Sequence, residues 1–253
     1  MADRNLPVRT GNPGLNERTF TGLPRAATGE AMTLQGTINK SFLLLLVLMA
    51  TALYPWSQYM ASGNPADVML PMMVGLFGGL ILALIISFKA PMAPYLSIPY
   101  AACEGLAIGG ISAVLERRYP GVAIQAVGLT FGVLAALLVA YTSRLIRVTQ
   151  RFRSIVVGAT LGIALFYLVS MVLGLFHINV GLMNGVSTLS IIISLVVVGV
   201  AALNLVLDFD LIETGVSQGA PRYMEWYSAF GLLVTLVWLY MEILRLLSKV
   251  RDR

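Results

Sequence analysis

The chain has 253 residues, of which 58% are apolar and only 11% charged, and its mean hydropathy is +0.83. An ordinary soluble enzyme carries about 25% Asp, Glu, Lys and Arg, so that class is excluded. The 17 basic residues against 12 acidic ones leave a net charge of +5, an excess that bears on membrane insertion and does not point to nucleic acid.

Residues 1–40 are polar and turn-rich, with Pro7, Pro13 and Pro24, and they hold no apolar core. They read as a mostly disordered cytoplasmic tail and not as a cleavable signal, because the apolar run begins only after Lys40 and lacks a small-residue cleavage site. Seven apolar stretches follow at 41–59, 68–88, 95–115, 122–141, 155–175, 189–211 and 227–247. Each is long enough to cross roughly 30 Å of hydrocarbon as a helix. The fold class expected is therefore an all-α integral membrane protein, a seven-helix domain at 41–248 followed by a short basic tail at 249–253.

Orientation follows from the basic residues. With the N-terminal tail inside, eleven of the seventeen fall on the inner side and six outside, and Arg144, Arg147, Arg151 and Arg153 between spans four and five weigh most. A re-entrant last segment would bring the basic C-terminal tail back inside and change the count to fifteen against two. Seven full spans are nonetheless expected, since 227–247 is long enough to cross.

Helices in lipid associate through close backbone approach. Gly75 and Gly79, Gly105 and Gly109, Gly128 and Gly132, and Gly158 and Gly162 form GxxxG pairs in four consecutive spans, so spans two to five are expected to pack tightly. Pro55, Pro71 and Pro99 are expected to bend spans one to three. No inverted repeat is evident, which disfavours a repeat-built transporter.

One Cys and one His leave no internal disulfide, CxxC zinc site or His-rich metal cluster. Cys103 reads as a packing residue and His177 as a solvated loop residue. No nucleophile, metal cluster or phosphate loop suggests an enzyme or a resident cofactor.

An acid near the bilayer centre costs about 2.5–3.5 kcal/mol on insertion scales, which makes buried acids the candidates for function. Asn204 and Asp208 are four apart and share a helix face, whereas Asp210 is turned about 200° away. Asp208 is expected to be buried. For Asp210 and Glu213, a bundle role and simple exposure at the wet interface both stay open. A carboxyl held from water, with a second carboxylate near it, can change charge near neutral pH. Oxygen ligands without His or Cys suit a proton or a hard cation such as Ca2+. Glu104, on the small-residue face of Ala101, Gly105 and Gly109, can serve a cation contact or packing alone. Glu242 can join the gate or pair with Arg245 three residues on.

Several segments carry a family likeness: 12–20 (NPGLNERTF), 29–33 (GEAMT), 36–40 (GTINK), 203–213 (LNLVLDFDLIE) and 223–247 (YMEWYSAFGLLVTLVWLYMEILRLL). The chain resembles the transmembrane Bax-inhibitor-motif family, and more closely its bacterial YccA-like branch. The resemblance implies a central last helix wrapped by six others and a bacterial inner-membrane location. It also implies either a pH-sensitive calcium leak channel or a regulator of cell death or of a membrane-bound protease. The family's proton-sensing pair falls on Asp208 and, in span seven, on Thr235, so the second carboxylate is missing. Glu104, Glu225 and Glu242 are the substitutes available, and the family's basic latch falls on Lys89. The expectation is a passive, proton-gated calcium leak with Asp208 as titrating gate and cation site, the alternative a partner-binding regulator in the lipid bilayer.

Overall fold

The computed structural model of the chain describes residues 31–176, 185 and 187–253. The disorder expected of residues 1–30, the likeness at 12–20 and the reading of His177 lie outside the described residues.

In hydrocarbon each backbone polar group must be bonded within its own segment, which dictates helices here. Among the described residues there are seven long enough and apolar enough to cross a membrane. They are α1 (Leu34–Ser62), α2 (Pro65–Phe88), α3 (Ala93–Arg118), α4 (Val122–Thr142), α5 (Gln150–Leu175), α6 (Thr188–Ser217) and α7 (Met224–Arg251). Pro55, Pro71 and Pro99 lie inside α1, α2 and α3 without ending them. The starts are capped from side chains: Thr33 accepts from Gly36 N–H, Asn64 from Ala66, Thr149 from Phe152 and Ser187 from Ser190. Glu116 at the end of α3 reaches across to accept from Gly121 N–H at 2.5 Å and Ala123 N–H at 2.9 Å, so a carboxylate sits at the N-terminus of α4.

Residues 34–40, placed in the polar tail by composition, form the first two turns of α1. Thr33 supplies the cap that starts the helix there, a local signal that hydropathy does not weigh. Helix α7 is one continuous helix of 28 residues, long enough and apolar enough to cross a membrane.

The short joints make successive helices antiparallel. The near end of the bundle is where α1 begins, α6 finishes and α7 begins; the far end holds the last turns of α1, α3 and α7. Helix α7 packs against α1, α3, α4 and α6, and its Tyr227, Phe230, Leu233, Leu239 and Leu244 are almost wholly buried. Tyr100 of α3 meets Phe230 edge-on, ring centroids 4.8 Å apart. The margin is different. Helix α5 packs chiefly along α6, and its buried residues Arg153, Val156 and Thr160 form one stripe at helical spacing.

The glycine pairs divide. An added Cβ at Gly75 would lie 2.5 Å from the Cys103 carbonyl oxygen, and at Gly105 and Gly109 it would lie 2.3 Å and 2.2 Å from the carbonyls of Leu48 and Ala52. These glycines let α2 and α1 touch α3 backbone to backbone. Gly128, Gly132, Gly158 and Gly162 have nothing within 4 Å of that position, so the tight packing expected of spans four and five through them does not occur. The spacing marks a face but not whether a neighbour lies on it.

The contrast is testable. Gly109→Val should lower unfolding stability in detergent by about 1–3 kcal/mol or more through overpacking, whereas Gly132→Ala should leave it unchanged or raise it by about 0.5–1 kcal/mol.

Candidate functional site

Helix α6 ends at Ser217, nine residues past Asp208, and Thr235 lies eleven residues past the start of α7 at Met224. At roughly 1.5 Å per residue the two stand about 14 and 17 Å from the near end, at one level inside the bundle. Asp208 is 0% exposed, enclosed on a helix whose Leu205, Leu207, Leu211 and Ile212 are also buried. Asn204, one turn deeper, is buried too. Its amide nitrogen donates to Thr160 Oγ1 of α5 and to the Val200 carbonyl, both at 2.8 Å. Thr235 is buried, and its hydroxyl donates to the Gly231 carbonyl at 3.3 Å. On α6 the buried Asp208 and Asn204 thus stand one turn apart, and Asn204 reaches the hydroxyl of Thr160 on α5.

Nearer the end stands a charged layer. Arg153 of α5 lies 2.5 Å from Asp210, with the two side chains 11% and 24% exposed. Asp210 is turned from Asp208 along α6, yet it meets a cation because α5 covers that face. Glu213, one turn on, is exposed; it accepts from the Tyr141 hydroxyl and lies 3.4 Å from Arg144.

Glu225 belongs to a different assembly. It is buried at the start of α7, accepts from Thr33 N–H at 2.9 Å and Thr33 Oγ1 at 2.8 Å, and forms an ion pair with Lys40. Met32 N–H donates to the Ala220 carbonyl at 2.6 Å, and Lys40 lies 5.5 Å from the Trp226 ring centroid. Gly36 is required here, since a Cβ would fall 2.2 Å from a Glu225 oxygen. The chain entering α1 is therefore fastened to the α6–α7 turn.

Glu242, on the far half of α7, is buried. It accepts from the Tyr167 hydroxyl at 2.8 Å and pairs with Arg245 at 3.2 Å. One turn on, the Lys249 ammonium donates to Ser190 and Ser194 of α6 at 2.9 and 2.8 Å. Glu104 is half-buried on the face of α3 that meets α2; a Cβ at Gly79 would lie 3.2 Å from it, and the Tyr100 hydroxyl is beside it. Lys89 stands exposed at the end of α2, a helix that packs on α1 and α3. The three substitute carboxylates thus occupy three separate settings, each with partners of its own. Among the described residues, no group of three or more His, Cys, Asp and Glu could hold a metal ion.

The match to known families decides what this bundle is. The Bax inhibitor 1 like family matches residues 12–252, nearly the whole chain. The chain belongs to that family. No curated protein and no solved structure matches it. Within this Bax inhibitor 1 like chain, the positions carried by the resemblance are an acid at 208 and a threonine at 235, both buried.

The sequence reading missed Arg153, Thr160, Tyr167, Lys249, Thr33 and Lys40 as contributors to these polar clusters. By composition Arg153 is one of four arginines between spans four and five that bear on orientation. Its spacing to Val156 and Thr160 was the available signal that it heads an inward stripe. For Thr33 and Lys40 no local pattern could have indicated a partner almost two hundred residues away.

Glu225→Gln removes a carboxylate whose side chain is 3% exposed and leaves Lys40 without its counter-charge. The variant should lose about 1–3 kcal/mol of stability, and trypsin should cut after Lys40 faster than in the parent chain.

Proposed function

We propose that the protein is a passive, proton-sensitive leak for hard cations, Ca2+ among them, with Asp208 as the titrating group. The observation that carries this reading is the complete burial of Asp208 within a membrane-spanning helix. Such a charge is expensive in hydrocarbon and is retained there chiefly for function. Asn204 and Thr160 supply polar oxygen and nitrogen on the same face. The Arg153–Asp210 pair forms the layer through which an ion from the near end would have to pass. The charged and titratable groups around this route are Arg153 and Tyr141 with Arg144 from α5, α4 and their joint, Asp210 and Glu213 from α6 itself, and Tyr227 from α7.

In this mechanism the bundle is shut while Asp208 is enclosed. A change in its charge alters the balance between the enclosed acid and the surrounding helices, and α5 and α6 part. The ion is cargo held by oxygen ligands in passing, no covalent step takes place, and no resident cofactor is needed. Thr235 at the level of Asp208 takes the place of a second carboxylate, so proton sensitivity rests on one acid. With the basic residues gathered on the near side, that side faces the cytoplasm, in a bacterial inner membrane.

A second reading, a regulator that binds a membrane protease or another integral protein, draws on the fastening of residues 31–33 to the base of α7. A partner holding the preceding thirty residues would pull directly on that helix. Deleting residues 1–30 separates the two: a leak survives in purified form, and a tail-dependent regulator loses its partner.

In proteoliposomes loaded with a calcium dye, Asp208→Asn should abolish the pH dependence of flux; an unchanged pH response removes Asp208 from the mechanism. Thr235→Asp should sharpen acid sensitivity, and a flat response in that variant would refute the placement of the second position.

A further inference from the structure

Glu242, Arg245 and Lys249 follow one another along one face of α7, and two of the three are cations. The carboxylate is engaged: Glu242 accepts from the Tyr167 hydroxyl and from Arg245 Nη1. Lys249 is only 8% exposed, and its ammonium donates to the Ser190 and Ser194 hydroxyls, both neutral. Three effects work against a positive charge at that place. Water is largely kept from it, Arg245 one turn earlier repels it, and Ser190 stands in the first turn of α6, at the positive end of that helix.

Among the described residues, the other acids of the far end are committed elsewhere. Asp252 lies 3.3 Å from Arg118, Glu116 accepts from the first N–H groups of α4, and Asp67 opens α2, which packs on α1 and α3. Residues 177–186, which lead into α6, contain neither Asp nor Glu. The chain thus brings two cations to one carboxylate here and supplies no further counter-charge.

A cavity of about 10 Å3 lies against these groups, lined by Tyr167 of α5, Ser194 of α6 and Arg245 and Lys249 of α7. It has room for about one water-sized particle. Donors border it on two helices. An ammonium carries three hydrogens and the serines take two, while Ser194, accepting from Lys249, keeps its own proton to give. Arg245 makes its bonds through Nη1, which leaves Nη2 and Nε as donors. Such walls attract an anion and repel a cation, and the space is too small for a phosphate or a carboxylate.

We propose that this cavity binds one compact monovalent anion, a halide such as chloride, held by Lys249, Ser194 and Arg245 between α5, α6 and α7. The anion offsets the surplus positive charge and ties the far half of α7 to α6. The site is independent of the leak reading and stands whether or not ions pass near Asp208.

The test uses the full-length chain in mild detergent, with potassium chloride exchanged for potassium gluconate at constant ionic strength. It reads the melting temperature and the broadening of the chloride line in nuclear magnetic resonance. The parent should melt higher as chloride replaces gluconate, with saturation, and should broaden the chloride line beyond a protein-free detergent control; bromide should reverse the broadening. Lys249→Met should lose both effects. Ser194→Ala should weaken them severalfold, and it carries the test alone should Lys249→Met fail to fold. A parent that melts alike in the two salts and leaves the chloride line at the control width overturns the site, as does undiminished binding in either folded variant.

Discussion

A polar group inside a bilayer has only its own protein to bond with, and that constraint orders this structure. Hydroxyls along the spans turn back on their own helices: Thr37, Ser41, Thr130, Thr160 and Ser248 each donate to the carbonyl four residues earlier. Charged groups gather toward helix ends and are paired there, Glu225 with Lys40 and Arg153 with Asp210. Asp208 and Glu242 lie deeper, each nine residues inside its helix and almost wholly buried.

Length and hydropathy sufficed to read seven helices, because a span must satisfy its backbone locally and so announces itself locally. The burial of Asp208 was legible for a similar reason: Asn204 four residues earlier marks a polar stripe in an otherwise apolar helix. Partners across helices were not legible. Gly105 and Gly128 stand in identical spacing patterns, yet one touches the α1 backbone and the other faces open space. Arg153 looked like a topogenic charge until α5 was seen to present it toward α6. Thr33 and Lys40 looked like tail residues, because the carboxylate that receives them lies at position 225.

Two tethers hold the ends of α7. At its start, Glu225 is bound by the segment leading into α1; at its finish, Lys249 is bound by the serines of α6. Buried apolar side chains fill the length between them, against α1, α3, α4 and α6. The family's central helix is thus fixed by polar contacts at both ends and by packing along its middle. Position 235 lies in the fixed portion and position 208 on the neighbour that faces α5.

The one-sided attachment of α5 has a mechanical corollary. A cylinder gripped on several flanks can shift only if its whole surroundings yield, but one seated chiefly along one neighbour can swing on it as a door leaf on its jamb. The Arg153 and Asn204 bonds to and from α6 and the Tyr167 bond to Glu242 of α7 are the catches that hold it, spaced from the near end to the far half. Breathing of this membrane domain should therefore be concentrated at α5, and the lipid pressing on its outer glycine-bearing face becomes one of the forces that keep it closed.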